Sequence, residues 1–231
     1  MDVIWENRQA IALAFSYTVI LFLFAGVGSL IGGTLLVSMR VGPIRVLRWA
    51  GAAYVTVVRN TPLLVILVFF RIAGPKMELR FDFIDVVIST SIGEVRLNNI
   101  FTACTVGLAV YTSAFVCEAL RSGVNAVPTG QAEAARAVGL TFGGTMTQVI
   151  LPQALRASIP PLASVQIALL KNTTVAGALG VFEAAIQMRG LLNDYSSVST
   201  QIFLTFAVIF VVLVEIVSFA SHRLERRMRI A

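Results

Sequence analysis

The stretch QAIALAFSYTVILFLFAGVGSLIGGTLLVSM, Gln9 to Met39, carries no charged side chain and decides the class of fold. A helix rises about 1.5 Å per residue, so this run is ample for one tilted crossing of a roughly 30 Å hydrocarbon core. It is too long for the apolar core of a cleavable signal, and Asp2 and Glu6 spoil the basic stretch that such a signal needs. The rest of the 231-residue chain agrees: 57% of it is hydrophobic and 13% charged, with a mean hydropathy of +0.86. A soluble domain is roughly 45–50% apolar and about 25% charged, so disorder, a nucleic-acid module and a secreted disulfide scaffold are all excluded. The sequence describes an all-α integral membrane protein.

Four further segments extend the pattern. Spans are expected at about 10–39, 49–72, 97–118, 160–182 and 201–221, in one transmembrane domain covering 1–231. The second is interrupted at Arg59-Asn60-Thr61-Pro62 and is taken as one broken span, with the Thr61 hydroxyl capping the restart and proline's missing N–H costing nothing there. Residues 74–99 read as a polar extramembrane loop with room for a short helix, and about 187–200 as a second loop. Cys104 and Cys117 share one apolar segment, about 20 Å apart along a helix, beyond disulfide reach. Five spans place the termini on opposite sides. With the N-terminus outside, eleven basic residues fall on the cytoplasmic side (Arg40, Arg45, Arg48, Arg59, Arg121, Arg136, Arg156, Arg223, Arg226, Arg227, Arg229) and six outside (Arg8, Arg71, Lys76, Arg80, Arg96, Arg189). The positive-inside rule therefore favours N-out, C-in. It also accounts for the net charge of +6 without nucleic acid.

No catalytic motif is present: there is no GxxxxGK[ST], HExxH or GxSxG. The single histidine, His222, sits among tail arginines as a solvated interfacial residue. The informative stretch is the cytoplasmic loop at about 121–158. Gln131 to Val138 reads as a short, alanine-rich helix closed by Gly139 as a C-cap, and a second amphipathic helix runs from about Phe142 to Leu155, with Pro152 near its end. Such a hairpin either seats in a partner's cleft or lies on lipid headgroups.

Glu133-Ala134-Ala135, three residues, Gly139, nine residues, Val149, one residue, Leu151-Pro152 resembles the EAA loop of permease subunits of ATP-binding-cassette importers, departing from it only by Val149 in place of Ile. Arg59-Asn60-Thr61-Pro62-Leu63-Leu64, Tyr111 through Glu118-Ala119-Leu120-Arg121-Ser122-Gly123, and Lys171-Asn172-Thr173-Thr174 are similar to the polar amino-acid subfamily, most like actinobacterial glutamate-uptake permeases. The resemblance covers about residues 10–225. It implies five core helices and a coupling helix that engages an ATPase through Glu133, Ala134, Ala135, Gly139, Leu151 and Pro152. The implied partners are a second permease (homo- or heterodimer), two ATPase subunits, an extracellular binding protein and an amino-acid substrate. No cofactor is expected in this chain; ATP and magnesium belong to the ATPase. The location implied is the plasma membrane of a bacterium, multi-pass.

For the substrate, Lys171 is placed near the membrane midplane, about 16 Å beyond Pro160. With Asn172, Thr173 and Thr174, and with Gly177 and Gly180 nearby, it suits a discontinuous helix lining a cavity. The alternative is a structural lysine paired with Glu215, which is expected nearer the cytoplasmic end. Tyr111, Thr112 and Ser113 either line the same cavity or bond to their own helix. Glu118 and Arg121 read as a structural pair or a gate. The resemblance implies an acidic residue after the lysine in carriers of cationic amino acids. Asn172 there disfavours a cationic substrate and leaves glutamate, aspartate or glutamine. A secondary transporter and a membrane anchor are the rival readings.

Overall fold

The computed structural model describes residues 2–228; Arg229 lies outside the described residues. In chain order the helices are α1 (Asp2–Glu6), α2 (Arg8–Val41), α3 (Arg45–Asn60), α4 (Leu63–Val68), α5 (Gly74–Lys76), α6 (Asn99–Asn125), α7 (Thr129–Ala137), α8 (Phe142–Gly144), α9 (Leu151–Asn172), α10 (Thr174–Gly177), α11 (Ala184–Asp194) and α12 (Ser199–Met228). π-Helical turns join α4 to α5 (Phe69–Ala73) and α8 to α9 (Thr145–Ile150).

The centre of the fold is the α2–α6 pair. Ala25, Gly26, Ser29 and Gly33 are buried on α2, and a Cβ added at Gly33 would lie 2.3 Å from Val116 Cγ1, at Gly28 3.0 Å from Ala109 Cβ. Small residues on one stripe let the two backbones close up, which is how helices pack tightly where lipid gives no hydrophobic drive. Around this pair one apolar core gathers Leu21, Leu67, Phe101, Leu108 and Leu169. A second joins Phe15 on α2 to Leu191 on α11 and Phe206 on α12. A third joins Val37, Val55 and Val58 to Ala114 and Cys117.

Among the described residues, three helices are long and apolar enough to cross a membrane: Arg8–Val41, Asn99–Asn125 and Ser196–Arg227. Arg45–Asn60 and Leu63–Lys76 together make a fourth if counted as one crossing, bent by 105°. The five-span expectation is thus met only in its coarser form, a helical membrane protein. The segment expected at 160–182 falls short because its helix starts earlier, at Leu151, and ends at Asn172, with Arg156, Gln166 and Lys171 along it. Pro160 and Pro161 lie inside this helix rather than before it. Their missing N–H groups free the carbonyls of Arg156 and Ala157, both exposed and able to bond water.

Four local expectations are corrected. The loop at 74–99 contains an antiparallel hairpin, β1 (Val86–Thr90) with β2 (Gly93–Leu97), paired Val86 to Leu97 through Thr90 to Gly93. β2 is anchored where the Tyr17 hydroxyl accepts the Arg96 N–H. The expected loop at 187–200 is mostly α11, because the Glu183 carboxylate caps it by accepting from the Ala185 and Ile186 N–H groups at 2.8 and 2.9 Å. Thr61 does not cap the restart at Pro62; its hydroxyl donates back to Val57 O at 2.8 Å. Lastly, the second helix of the hairpin does not end near Leu155 but runs through the π turn into α9, and Pro152 sits in the first turn of α9, where an amide is not needed.

Candidate functional site

Two cavities and one hairpin hold most of the residues singled out by sequence. The first cavity, about 260 Å³, lies between α6 and α9. Tyr111, Thr112 and Phe115 line it from α6, and Ser164, Ala168 and Asn172, spaced by four, line it from one face of α9. The Thr112 hydroxyl is buried there without a hydrogen-bond partner among the described residues. An unmet buried hydroxyl is costly, so the groove presents a donor and acceptor ready for a ligand. Phe115, Ser164 and Ala168 were not singled out by sequence; the four-residue spacing back from Asn172 finds Ala168 and Ser164, and the same spacing on from Tyr111 finds Phe115.

The second cavity, about 460 Å³, lies on the other side of α9 against α12 and holds Lys171, Thr174 and Glu215 with Phe210, Val211 and Val214. Lys171 and Glu215 therefore share one cavity, whereas counting from Pro160 set them at different depths. The helix begins a further nine residues back, at Leu151, and Lys171 sits in its last turn. The two form no ion pair within 4.0 Å among the described residues. The helix does break at Thr173, resumes for one turn as α10 to Gly177, and is followed by a turn in which Gly180 has φ +93°.

Two expected site residues belong to the scaffold. Thr173 is fully buried and donates to Leu170 O at 2.7 Å. Ser113 donates to Val110 O at 2.7 Å and bonds the Tyr54 hydroxyl at 3.0 Å, tying α3 to α6. Neither lines the cavity that holds its neighbours.

At the far end of α6, Glu118 gathers three arginines. It bonds Arg40 at the end of α2, Arg121 Nη2 at 2.9 Å, and lies 3.9 Å from Arg59 Nη1 at the end of α3. The expected Glu118–Arg121 pair is thus one arm of a tie across three helices. Beyond it comes the hairpin. α7 closes in a Schellman motif: Leu140 N–H bonds Ala135 O at 3.1 Å, Gly139 N–H bonds Arg136 O at 3.0 Å, and Gly139 has φ +90°. Glu133, Ala134 and Gly139 are exposed, as are Leu151 and Pro152, while Val138 at the tip is 80% exposed. Ala135 is buried beneath the hairpin.

Glu183, in the linker between α10 and α11, is the buried acid that sequence reading missed. Burial pushes its carboxyl up to about 7, against the two amide donors and Arg189, which pull it down. Its only sequence signal is a lone acid ahead of an alanine pair.

Residues 25–230 match the family model of the binding-protein-dependent transport system inner membrane component. The chain is 38% identical over 231 residues to the glutamate transport system permease protein GluC of Corynebacterium glutamicum, covering 100% of this chain and 99% of that one. It is 32% identical over 228 residues to the probable glutamine ABC transporter permease protein GlnM of Bacillus subtilis, covering 99% and 97%. Among solved structures, an amino acid ABC transporter crystallised with histidines superposes with a TM-score of 0.81 at 25% identity, over 97% of this chain and 96% of that one. The chain belongs to the family of binding-protein-dependent transport system inner membrane components, as a multi-pass permease of the bacterial plasma membrane.

Proposed function

We propose that this chain is the transmembrane permease subunit of an ATP-driven glutamate importer. It would form the translocation path with a second permease and leave ATP and magnesium to two separate ATPase subunits. The observation that carries the reading is the glycine-closed hairpin: a rigid exposed knob, Glu133 to Gly139, set one short link beyond a helix whose inner end is tied to two others by Glu118. A knob held this firmly passes a push into α6 and α9 rather than absorbing it. Full-length similarity to the glutamate permease GluC supports the substrate, and Asn172, uncharged beside Lys171, suits an acidic cargo. α9 supplies the remaining crossing of a five-span subunit with its N-terminus outside. That orientation puts Arg40, Arg59, Arg121 and the hairpin on the cytoplasmic side. The α6–α9 groove then serves as the substrate path, with Thr112, Tyr111 and Asn172 as its polar contacts.

The test is gentle extraction from the native membrane with mass spectrometry of what co-purifies, followed by uptake assays with glutamate, aspartate and glutamine. A second permease and a chain bearing GxxxxGK[ST] are expected. Gly139→Pro should abolish uptake and substrate-stimulated ATP hydrolysis while the complex still assembles; a chain that purifies alone, or normal transport by Gly139→Pro, refutes the reading.

A further inference from the structure

A third cavity, about 200 Å³, opens at the other end of α6, beside the β1–β2 hairpin, and its polar wall is Arg71, Arg80, Asp82 and Asn99, with Pro75 and Phe81 beside them. It is smaller than the roughly 300–1,000 Å³ of pockets for drug-sized ligands, so its occupant is small. Each polar residue is held by a specific local feature. Arg71 projects from the π turn Phe69–Ala73, a distortion that occurs frequently at functional sites. Arg80 and Asp82 follow a chain reversal at Glu78, which adopts φ +64° so that Leu79 N–H reaches Gly74 O at 3.0 Å. A residue with a Cβ disfavours that conformation, so the reversal is upheld by its surroundings. Asn99 is the first residue of α6, whose leading amides carry the positive end of a 27-residue helix.

Among the described residues none of these four side chains has a hydrogen bond or ion pair within the protein. Arg71 Nε is in addition shut off from solvent with no acceptor. A buried guanidinium N–H without an acceptor is among the costlier unmet groups, and two guanidiniums facing one carboxylate leave the wall with a surplus positive charge. Arg80, Asp82 and Asn99 are exposed, so only Arg71 Nε is left outright without a partner, and an anion that also offers a cation to Asp82 fits this lining.

We propose that this cavity binds a free acidic amino acid: Arg71, Arg80 and the α6 N-terminus take its two carboxylates, and Asp82 takes its ammonium group. The net charge of the ligand, −1, matches the lining. A neutral amide analogue leaves one guanidinium unpaired, so the site selects glutamate over glutamine before either reaches the α6–α9 groove. That groove lies about 18 Å further along α6, counted from Asn99 to Tyr111. The inference rests on the glutamate-importer reading and adds a selecting site at the mouth of its path.

The test uses the whole transporter in proteoliposomes, with its binding protein, and measures uptake of L-glutamate and L-glutamine side by side. Arg71→Gln with Arg80→Gln should raise the glutamate KM tenfold or more and leave glutamine within twofold, which also reports that the complex is folded. Arg80→Gln alone, at an exposed position, should give a partial effect in the same direction. Asp82→Asn should weaken inhibition by glutamate more than inhibition by glutarate, which has two carboxylates and no ammonium. Equal loss of both substrates, as from an impaired dock for the binding protein, overturns the site, and so does no change in either. A wild-type transporter that moves glutamine and not glutamate overturns the substrate reading, and this site with it.

Discussion

Glu118 holds the inner ends of three helices, and the strength of each arm can be ranked from geometry. Arg40 is the least exposed of its partners, at 16%, against 38% for Arg121 and 46% for Arg59, with Glu118 itself at 22%. A charge-assisted hydrogen bond in partly buried surroundings contributes about 1.5–3 kcal/mol. An i,i+3 pair on one helix gives about 0.2–0.5 kcal/mol, and an exposed pair without a hydrogen bond, as at 3.9 Å to Arg59, about 0–1 kcal/mol. Double-mutant cycles of Glu118→Gln with Arg40→Gln, Arg59→Gln and Arg121→Gln should therefore give coupling energies in the order Arg40, then Arg121 and Arg59 together. The first is expected at about 2 kcal/mol and the other two below about 1 kcal/mol. Equilibrium unfolding of the detergent-solubilised complex, followed by helical circular dichroism, provides the four free energies of each cycle. Arg40→Gln leaves the partly buried Glu118 with one charged partner fewer, so the single variant is destabilised. A coupling of Arg40 to Glu118 below about 0.5 kcal/mol, or one exceeded by Arg59, would refute the view that this carboxylate staples α2 to α6.

Three more outcomes follow from the same geometry. Glu183 holds its proton to about pH 7 in the folded state against 4.5 ordinarily, so the native protein binds more protons than the unfolded chain between those values. Stability should be greatest below about pH 4.5 and fall, by at most on the order of 3 kcal/mol, as pH rises through 7. Glu183→Gln should flatten that slope in unfolding measured from pH 5 to 8; an unchanged slope rejects the assignment. At Thr112 the hydroxyl has no hydrogen-bond partner among the described residues, so Thr112→Val should leave stability unchanged or raise it by about 1–2 kcal/mol while raising the substrate KM about tenfold. A stability loss without a transport effect would return Thr112 to the scaffold. Gly177→Ala would set a Cβ 2.2 Å from the Glu183 carboxylate and should lower stability by about 2 kcal/mol as the cap on α11 is displaced. Calorimetry showing no change would mean that this cap is dispensable.

Composition and periodicity alone determined that the chain is a helical membrane protein. Uncharged runs the length of a bilayer have no other stable use, and the segments around Phe15, Leu108 and Phe206 carry that message locally. The spacing from Glu133 through Gly139 to Pro152 likewise needed no coordinates, because a glycine at φ +90° after an alanine helix is a local, backbone-level instruction. Tertiary structure alone decided where side chains of neighbouring sequence go. Lys171 and Asn172 are adjacent yet serve cavities on different faces of α9, since successive residues on a helix point about 100° apart. Thr112 faces the groove while Ser113 ties down Tyr54 for the same reason. The hairpin at Val86–Leu97 and the cap on α11 were hidden because each depends on distant partners, Tyr17 for one and a sealed pocket for Glu183 in the other. Arg40, Arg59 and Glu118 lie far apart in the chain, and only packing of the α2, α3 and α6 ends brings one carboxylate within reach of both. Sequence specifies what a segment can satisfy by itself; long-range charge pairing and unmet polar atoms become visible only once the helices are assembled.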